Sequence, residues 1–293
     1  MKKIFLALPG NEKLAQSLAE KCNAEMGEII IRQFPDGETY LKIKSEVMDK
    51  QVLLVCTMNQ PDKKLLPLYF LSETARELGA KSICLVLPYL AYMRQDKRFE
   101  TGEGITSSYF AKLISSFADS LVTIDPHLHR RNSLAEIYTI PTTVVHASSL
   151  ISKWIQTNIQ KPILIGPDSE SSQWVSEIAQ LANAPFLILE KIRKDDRSVE
   201  ISIPNLENYK EFTPVLVDDI ISTAQTMITT IGLLKKTGMQ KPICIGIHAV
   251  FANNAFLDLL NAGAQKIVSC NTIIHESNQI AIDEILSKAI DQL

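Results

Sequence analysis

The sequence predicts an α/β fold built as two similar units, each a mainly parallel sheet flanked by helices. Three observations carry the prediction. Short aliphatic runs alternate with segments of helical period along the whole chain. The runs, such as Val52-Leu53-Leu54-Val55 and Val215-Leu216-Val217, are apolar at successive positions, as strands buried on both faces must be. With 293 residues, 46% of them hydrophobic, the chain is also long enough for two sizeable cores.

Taken in order, strands are expected at residues 4–8, 29–32, 52–56, 83–87, 121–124 and 143–145, then at 163–165, 186–189, 215–217, 243–248 and 266–269. Helical patterns cover 12–21, 63–79, 106–118, 148–158, 170–183, 222–237, 254–262 and 280–290. The break near His146 divides the strands about equally, giving units 1–146 and 147–293. The basic start, Met1-Lys2-Lys3, precedes an apolar run too short for a secretory segment and reads as the first strand. A net charge of -3 argues against nucleic acid or an anionic membrane as partner, and no apolar stretch reaches membrane-spanning length. The five cysteines are scattered without metal-pair spacing, which suits reduced thiols in a cytoplasmic protein.

Candidate chemistry lies after the strands, because ligands of such sheets bind beyond the strands' carboxyl ends. The richest stretch runs from Val215 to Met227. An apolar strand is followed by Asp218 and Asp219, then by the hydroxyl-rich turn Ser222-Thr223-Ala224-Gln225-Thr226 and a helix. A helix N-terminus with small residues before it accepts a phosphate, and the two carboxylates suit sugar hydroxyls or a metal ion beside it. The combination points to a phosphorylated sugar, although the same turn would also serve as a plain helix cap.

Four other segments are polar enough to matter. Arg94, Gln95, Asp96, Lys97 and Arg98 follow the strand at 83–87, interleaved with aromatic anchors, and offer the donors a polyphosphate needs. Asp125-Pro126-His127 follows the strand at 121–124, and Gly166-Pro167-Asp168 follows the one at 163–165, where Asp168 could serve a divalent cation. Phe34-Pro35-Asp36-Gly37-Glu38 reads as a hairpin turn. Glu190 to Arg197 is a charged loop, either a solvated hairpin or a cationic lid over phosphates.

In this order the segments resemble the ribose-phosphate diphosphokinase (phosphoribosyl pyrophosphate synthetase) family over essentially the whole chain. The resemblance implies two phosphoribosyltransferase-like domains, the first binding ATP and mediating assembly, the second binding ribose 5-phosphate. It implies transfer of the diphosphoryl group of ATP to the 1-hydroxyl of ribose 5-phosphate, giving phosphoribosyl pyrophosphate and AMP, with Mg²⁺ as cofactor. By the same likeness, Phe34, Asp36 and Glu38 form the adenine hairpin, and Arg94, Gln95, Asp96, Lys97 and His127 hold ATP. His127 and Asp168 are linked to the metal, and Lys191 and Arg193 form the catalytic Lys-x-Arg. Asp218, Asp219, Ser222, Thr223, Ala224, Gln225 and Thr226 form the ribose 5-phosphate loop. The family's adenine hairpin reaches a neighbouring subunit, which implies a homo-oligomer, a dimer at least and up to a tetramer or hexamer.

The chain departs from the family pattern in three places. Ser222 stands where many members carry a third acid, Gln225 where they carry glycine, and Ser169-Glu170-Ser171 where small residues are common. The chain is also shorter than the commonest members, so control by nucleoside diphosphates is not expected. For Gln225, helical angles are expected, with its side chain turned away from the phosphate or donating its amide to it. Two other readings remain open on the sequence: a silent homologue that regulates a true synthetase by co-assembly, and a phosphoribosyltransferase, which shares the sugar-phosphate loop.

Overall fold

The structure, a computed structural model, describes residues 1–166, 171–195, 198–202 and 206–293; at residues 173, 190–195 and 198–202 the description is of the backbone. The chain forms two compact units, Met1–Val145 with Asp283–Leu293, and His146–Ile282. The break at 145/146 lies one residue before the sequence-derived boundary. The C-terminal segment differs: read as part of the second unit, it belongs to the first. The reason is packing, since helix α8 (Asp283–Asp291) lies against α1 (Glu12–Lys21). Asp283 Oδ2 accepts from Ser17 at 2.9 Å, and Lys3 Nζ donates to the Ile290 carbonyl at 2.7 Å. Leu286 and Ile290 are fully buried there.

The first unit carries a six-stranded sheet in the order β2-β1-β5-β6-β7-β8. Its strands are β1 (Lys3–Ala7), β2 (Glu25–Met26), β5 (Gln51–Val55), β6 (Ser82–Leu87), β7 (Ser120–Ile124) and β8 (Thr142–Val145), all paired in parallel. The second unit repeats the design in the order β10-β9-β13-β14-β15-β16. Those strands are β9 (Pro162–Gly166), β10 (Phe186–Ile188), β13 (Thr213–Ile221), β14 (Ile243–Ala249), β15 (Lys266–Cys270) and β16 (Asn278–Ile280), again all parallel. Each unit also inserts an antiparallel ribbon after its second strand, β3 (Ile29–Gln33) with β4 (Thr39–Ile43), and β11 (Glu190–Asp195) with β12 (Ser198–Ser202). Counted within a unit, the spatial order is second, first, third, fourth, fifth, sixth both times. The chain is thus an internal repeat of topology with no visible repeat of sequence.

Apolar runs form the sheets because parallel strands are covered on both faces. Val52, Leu53, Leu54 and Val55 have no exposed surface, and neither do Val215 and Val217. The helices α2 (Pro61–Glu77), α3 (Thr106–Phe117), α4 (Ser148–Asn158), α5 (Ser172–Ala182), α6 (Gln225–Lys236) and α7 (Ala255–Ala262) begin and end within three residues of their expected bounds. Among the described residues no helix is long and apolar enough to cross a membrane. All five cysteines are free thiols; Cys56, Cys84, Cys244 and Cys270 are buried. Burial pushes Cys56 and Cys244 up to about 12, so neither is a nucleophile.

Candidate active site

In each unit the strand order reverses between its first and third strands, at β1/β5 and at β9/β13, and such a reversal opens a crevice at the strands' carboxyl ends. In the second unit that crevice lies at the ends of β9 and β13, the strands that precede the two segments read as ligand loops. One follows β9. Its Gly166 is packed so closely that an added Cβ would lie 2.6 Å from both Ile188 Cδ1 and Ser171 Oγ. Asp168, placed on this loop as a metal residue, lies outside the described residues.

The other loop follows β13. The strand is longer than its apolar core, for Asp218, Asp219, Ile220 and Ile221 continue it. Asp218 pairs with Gly246 in register and Ile220 with His248, so both carboxylates sit on ordered strand backbone. Each accepts a backbone N–H: Asp219 N–H donates to Asp218 Oδ1 at 3.0 Å, and Ile220 N–H to Asp219 Oδ1 at 2.8 Å. Both are half-buried. The turn that follows is pinned from β14's far end, where Phe251 N–H donates to the Ile221 carbonyl at 2.9 Å and Ala252 N–H to that of Ser222 at 3.1 Å.

Helix α6 begins at Gln225, three residues later than the pattern suggested, because Ser222 to Ala224 form the turn itself. Gln225 has ordinary helical geometry, as expected for it. The left-handed residue is its neighbour Ala224, at φ 59° and ψ 8°. Ala224 is the N-cap and makes no side-chain capping bond. The first N–H groups of a helix have no partners within it, and here no cap side chain takes one, so they present donors and positive dipole to an anion. Thr223 and Gln225 are exposed, Ser222 and Thr226 half-buried.

For the segment that holds Lys191 and Arg193 the sequence leaves a solvated hairpin or a cationic lid open, and the backbone places both residues on strand β11 of an antiparallel ribbon, opposite Ile201 and Val199 of β12. Five residues of β11 pair, with a register shift between Arg193 and Asp195, because their partner segment is the β-branched run around Val199 and Ile201.

In the first unit, the hairpin expected at Phe34–Glu38 is present. Phe34 N–H donates to the Glu38 carbonyl and Gly37 N–H to that of Phe34, at 2.8 and 2.9 Å. Gly37 takes φ 92°, an angle that favours glycine, and Asp36 Oδ1 accepts Glu38 N–H at 3.1 Å. Phe34 is 40% exposed at the tip, with Arg32 stacked 5.0 Å from its ring. An aromatic held out by a rigid turn can accept a flat heterocycle.

The segment after β6 divides into buried anchors and exposed donors. Leu90, Ala91 and Met93 are buried, while Arg94 and Lys97 are exposed. Gln95 Oε1 accepts from Thr106 at 3.0 Å, fixing the loop to the start of α3. Asp96 was assigned to ATP, but the fold gives its carboxylate another duty. Its side chain is 2% exposed and is paired with Arg130 Nη1 at 3.2 Å. Arg131 Nη2 reaches the Asp96 carbonyl at 3.3 Å. Asp96 therefore ties the Arg94 loop to the His127 loop. Neither arginine is among the expected site residues; their place three and four residues beyond His127 is the available signal. His127 is half-buried with the ring of His129 3.8 Å away, centre to centre.

A doubly repeated parallel sheet with an uncapped helix start beside paired aspartates defines the phosphoribosyltransferase-like class of α/β proteins. Residues 3–117 match the family model for the N-terminal domain of ribose phosphate pyrophosphokinase, and residues 133–285 match that for the phosphoribosyl transferase domain. The chain is 33% identical over 281 residues to the ribose-phosphate pyrophosphokinase of Saccharolobus solfataricus, covering 94% of this chain and 95% of that protein. To the enzyme of the same name from Methanopyrus kandleri it is 31% identical over 293 residues, with 99% of each covered. The crystal structure of phosphoribosylpyrophosphate synthetase from Mycobacterium smegmatis shares the fold, with a TM-score of 0.85 at 22% identity over 99% of this chain and 98% of that one. The chain belongs to the ribose-phosphate pyrophosphokinase family.

Proposed function

We propose that this chain is a ribose-phosphate diphosphokinase, converting ATP and ribose 5-phosphate to phosphoribosyl pyrophosphate and AMP. The observation that carries the reading is the turn after β13: two half-buried aspartates on ordered strand, then a helix start with no capping side chain. That pairing suits a ligand with hydroxyls at one end and a phosphate at the other. Asp218 and Asp219 hold the ribose hydroxyls, and residues 222–226 hold the 5-phosphate through backbone N–H groups and the Ser222, Thr223 and Thr226 hydroxyls. The sugar's 1-hydroxyl oxygen attacks the β-phosphorus of ATP and gives up its proton to solvent, the bond from that phosphorus to the α,β-bridging oxygen breaks, and AMP departs with that oxygen.

Phosphoryl transfer of this kind needs alignment and neutralisation of charge more than covalent help. Arg94 and Lys97 supply exposed cations for the polyphosphate, and Gln95 and His127 complete that side. Phe34 stacks on adenine, with Asp36 and Glu38 shaping its turn. Lys191 and Arg193 act on the transferring group, on a ribbon that is the counterpart of the adenine hairpin in the repeat. His127 and Asp168 are the metal-linked positions, and the hard carboxylate oxygens of Asp218 and Asp219 suit a second cation beside the sugar hydroxyls. Mg²⁺, when bound, would neutralise phosphate oxygens. The adenine hairpin's exposed tip fits a homo-oligomer in which a second copy completes each nucleotide site.

The test is incubation of the pure protein with ATP, Mg²⁺ and ribose 5-phosphate. AMP formed only when the sugar phosphate is present, with equimolar phosphoribosyl pyrophosphate, supports the reading. No AMP across a range of Mg²⁺ and phosphate concentrations supports the silent homologue instead.

A further inference from the structure

The shared topology gives each strand-to-helix turn of the second unit a counterpart in the first. The counterpart of the turn after β13 is the one after β5, and its backbone is alike. Gln60 is the N-cap of α2, left-handed at φ 54°, again with no side-chain capping bond. The first unit fills this turn with its own groups. Asn11 Oδ1 accepts the Thr57 N–H at 2.8 Å, and Lys64 Nζ folds back onto the Thr57 carbonyl at 2.7 Å. Pro61 removes an N–H from the helix start, and Asp62 places a carboxylate in the first turn. A carboxylate there satisfies the helix dipole and repels an incoming phosphate.

Asp62 also reaches outward. Its Oδ1 accepts the hydroxyl of Tyr92, on the segment after β6. Tyr92 is itself left-handed, at φ 62°, a conformation that bulky residues rarely adopt. Such a conformation persists only where the surroundings over-determine it. Here they do. The Tyr92 ring packs 4.9 Å from that of Phe110 on α3, Ala91 and Met93 on either side are buried, and the Tyr89 carbonyl accepts Met58 N–H at 3.1 Å. Arg94, exposed, comes two residues later.

We infer that Asp62 and Tyr92 are a positioning pair: together they hold the loop after β6 in the one backbone conformation that presents Arg94 to ATP. Neither residue is assigned a contact with the nucleotide. The helix start that serves as a ligand site in the second unit has thus become an internal anchor in the first. The hydrogen bond to the Asp62 carboxylate pushes the Tyr92 hydroxyl up to about 12, so it remains a donor throughout the range in which such enzymes are assayed. The inference rests on the reading of residues 88–99 as the ATP loop.

Tyr92→Phe keeps the ring and removes only the donor. In the full-length protein its KM for ATP is expected to rise about three- to tenfold, the effect of one exposed hydrogen bond to a charged acceptor. Turnover at saturating ATP stays within about twofold and KM for ribose 5-phosphate is unmoved, because the pair acts on nucleotide binding alone. Asp62→Ala should match Tyr92→Phe, the double variant should be no worse than either, and Asp62→Asn, which keeps an acceptor oxygen, should be milder. An unchanged KM for ATP in Tyr92→Phe, equal losses for both substrates, or additive effects would overturn the inference. Arg94→Ala, measured in parallel, separates the two levels. If it leaves KM for ATP unchanged, the ATP-loop reading fails and takes the pair with it. If it raises KM while Tyr92→Phe does not, the inference alone fails.

Discussion

Glycine substitution at Ala224 and Gln225, one at a time, tests where the turn before α6 stores its strain. The left-handed angle falls on Ala224, while Gln225 opens α6 with helical geometry. An alanine at a left-handed angle costs roughly 1–2 kcal/mol, which glycine would recover. Against that, glycine loses a buried methyl, about 0.8 kcal/mol, and adds about 0.4–1 kcal/mol of freedom to the unfolded chain. These terms nearly cancel, so Ala224→Gly should change stability by less than about 1 kcal/mol. At exposed Gln225 there is no strain to relieve, and Gln225→Gly should cost up to about 1 kcal/mol of helix propensity. Valine widens the contrast. Ala224→Val forces a β-branched side chain into a left-handed, buried position and should cost more than about 2 kcal/mol, whereas Gln225→Val on the exposed first turn should cost about 0.5 kcal/mol. Urea unfolding measures all four. The sugar-phosphate KM of Gln225→Gly should stay within about threefold of the parent, or ~0.7 kcal/mol. A valine at 225 more damaging than one at 224 would refute the placement of the turn. A tenfold gain in activity with Gln225→Gly would show that glutamine blocks the site, and the silent-homologue reading would lead.

Three further outcomes are expected. Lys191→Ala and Arg193→Ala should each reduce turnover about 10²–10³-fold with KM for ATP nearly unchanged, since cations that act on developing charge work in the transition state; steady-state kinetics showing equal losses in both would refute that role. Gly246→Ala would place a Cβ 2.6 Å from both Cδ1 and Cγ1 of Ile221, the residue before the turn that leads into α6. It should cost about 1–3 kcal/mol in thermal unfolding, and Ile221→Ala in the same chain should remove most of that added cost. Finally, His275 Nδ1 accepts the Ser277 N–H at 3.1 Å beside the rings of Phe251 and Phe256, and burial lowers its pKa. A histidine held neutral in the fold takes up protons more readily when unfolded. Its contribution is therefore present above the ordinary histidine range, about 6.5, and is lost as pH falls below it. Unfolding midpoints against pH should show that loss in the parent, and a smaller one in His275→Gln.

The sequence determined the fold class and most of its elements, because parallel strands buried on both faces must be apolar at successive positions and their helices must not. Residues 12–21 and 148–158 were legible to the residue as α1 and α4. The Asp36-Gly37 turn was legible too, since few residues accept Gly37's φ of 92°. So was the turn between β13 and α6, whose small and hydroxyl residues stand between an apolar run and a helix. Other features depend on partners far along the chain. Residues 190–195 show in sequence only the charge of a solvated hairpin or a lid; that they form a strand is decided by the β-branched run that pairs with them across the ribbon. Residues 283–293 follow the second unit in sequence but are buried against α1, 260 or more residues earlier, as the Ser17–Asp283 contact shows. Asp96 looks like a ligand residue until Arg130 closes on it. The left-handed angle at Ala224 has no local signature, because alanine does not ask for it; the surrounding core and the carbonyl bonds to the loop after β14 impose it. Local chemistry writes periodicity and turns into the sequence. Only the folded chain decides which charges meet, because that is settled by residues the sequence holds far apart.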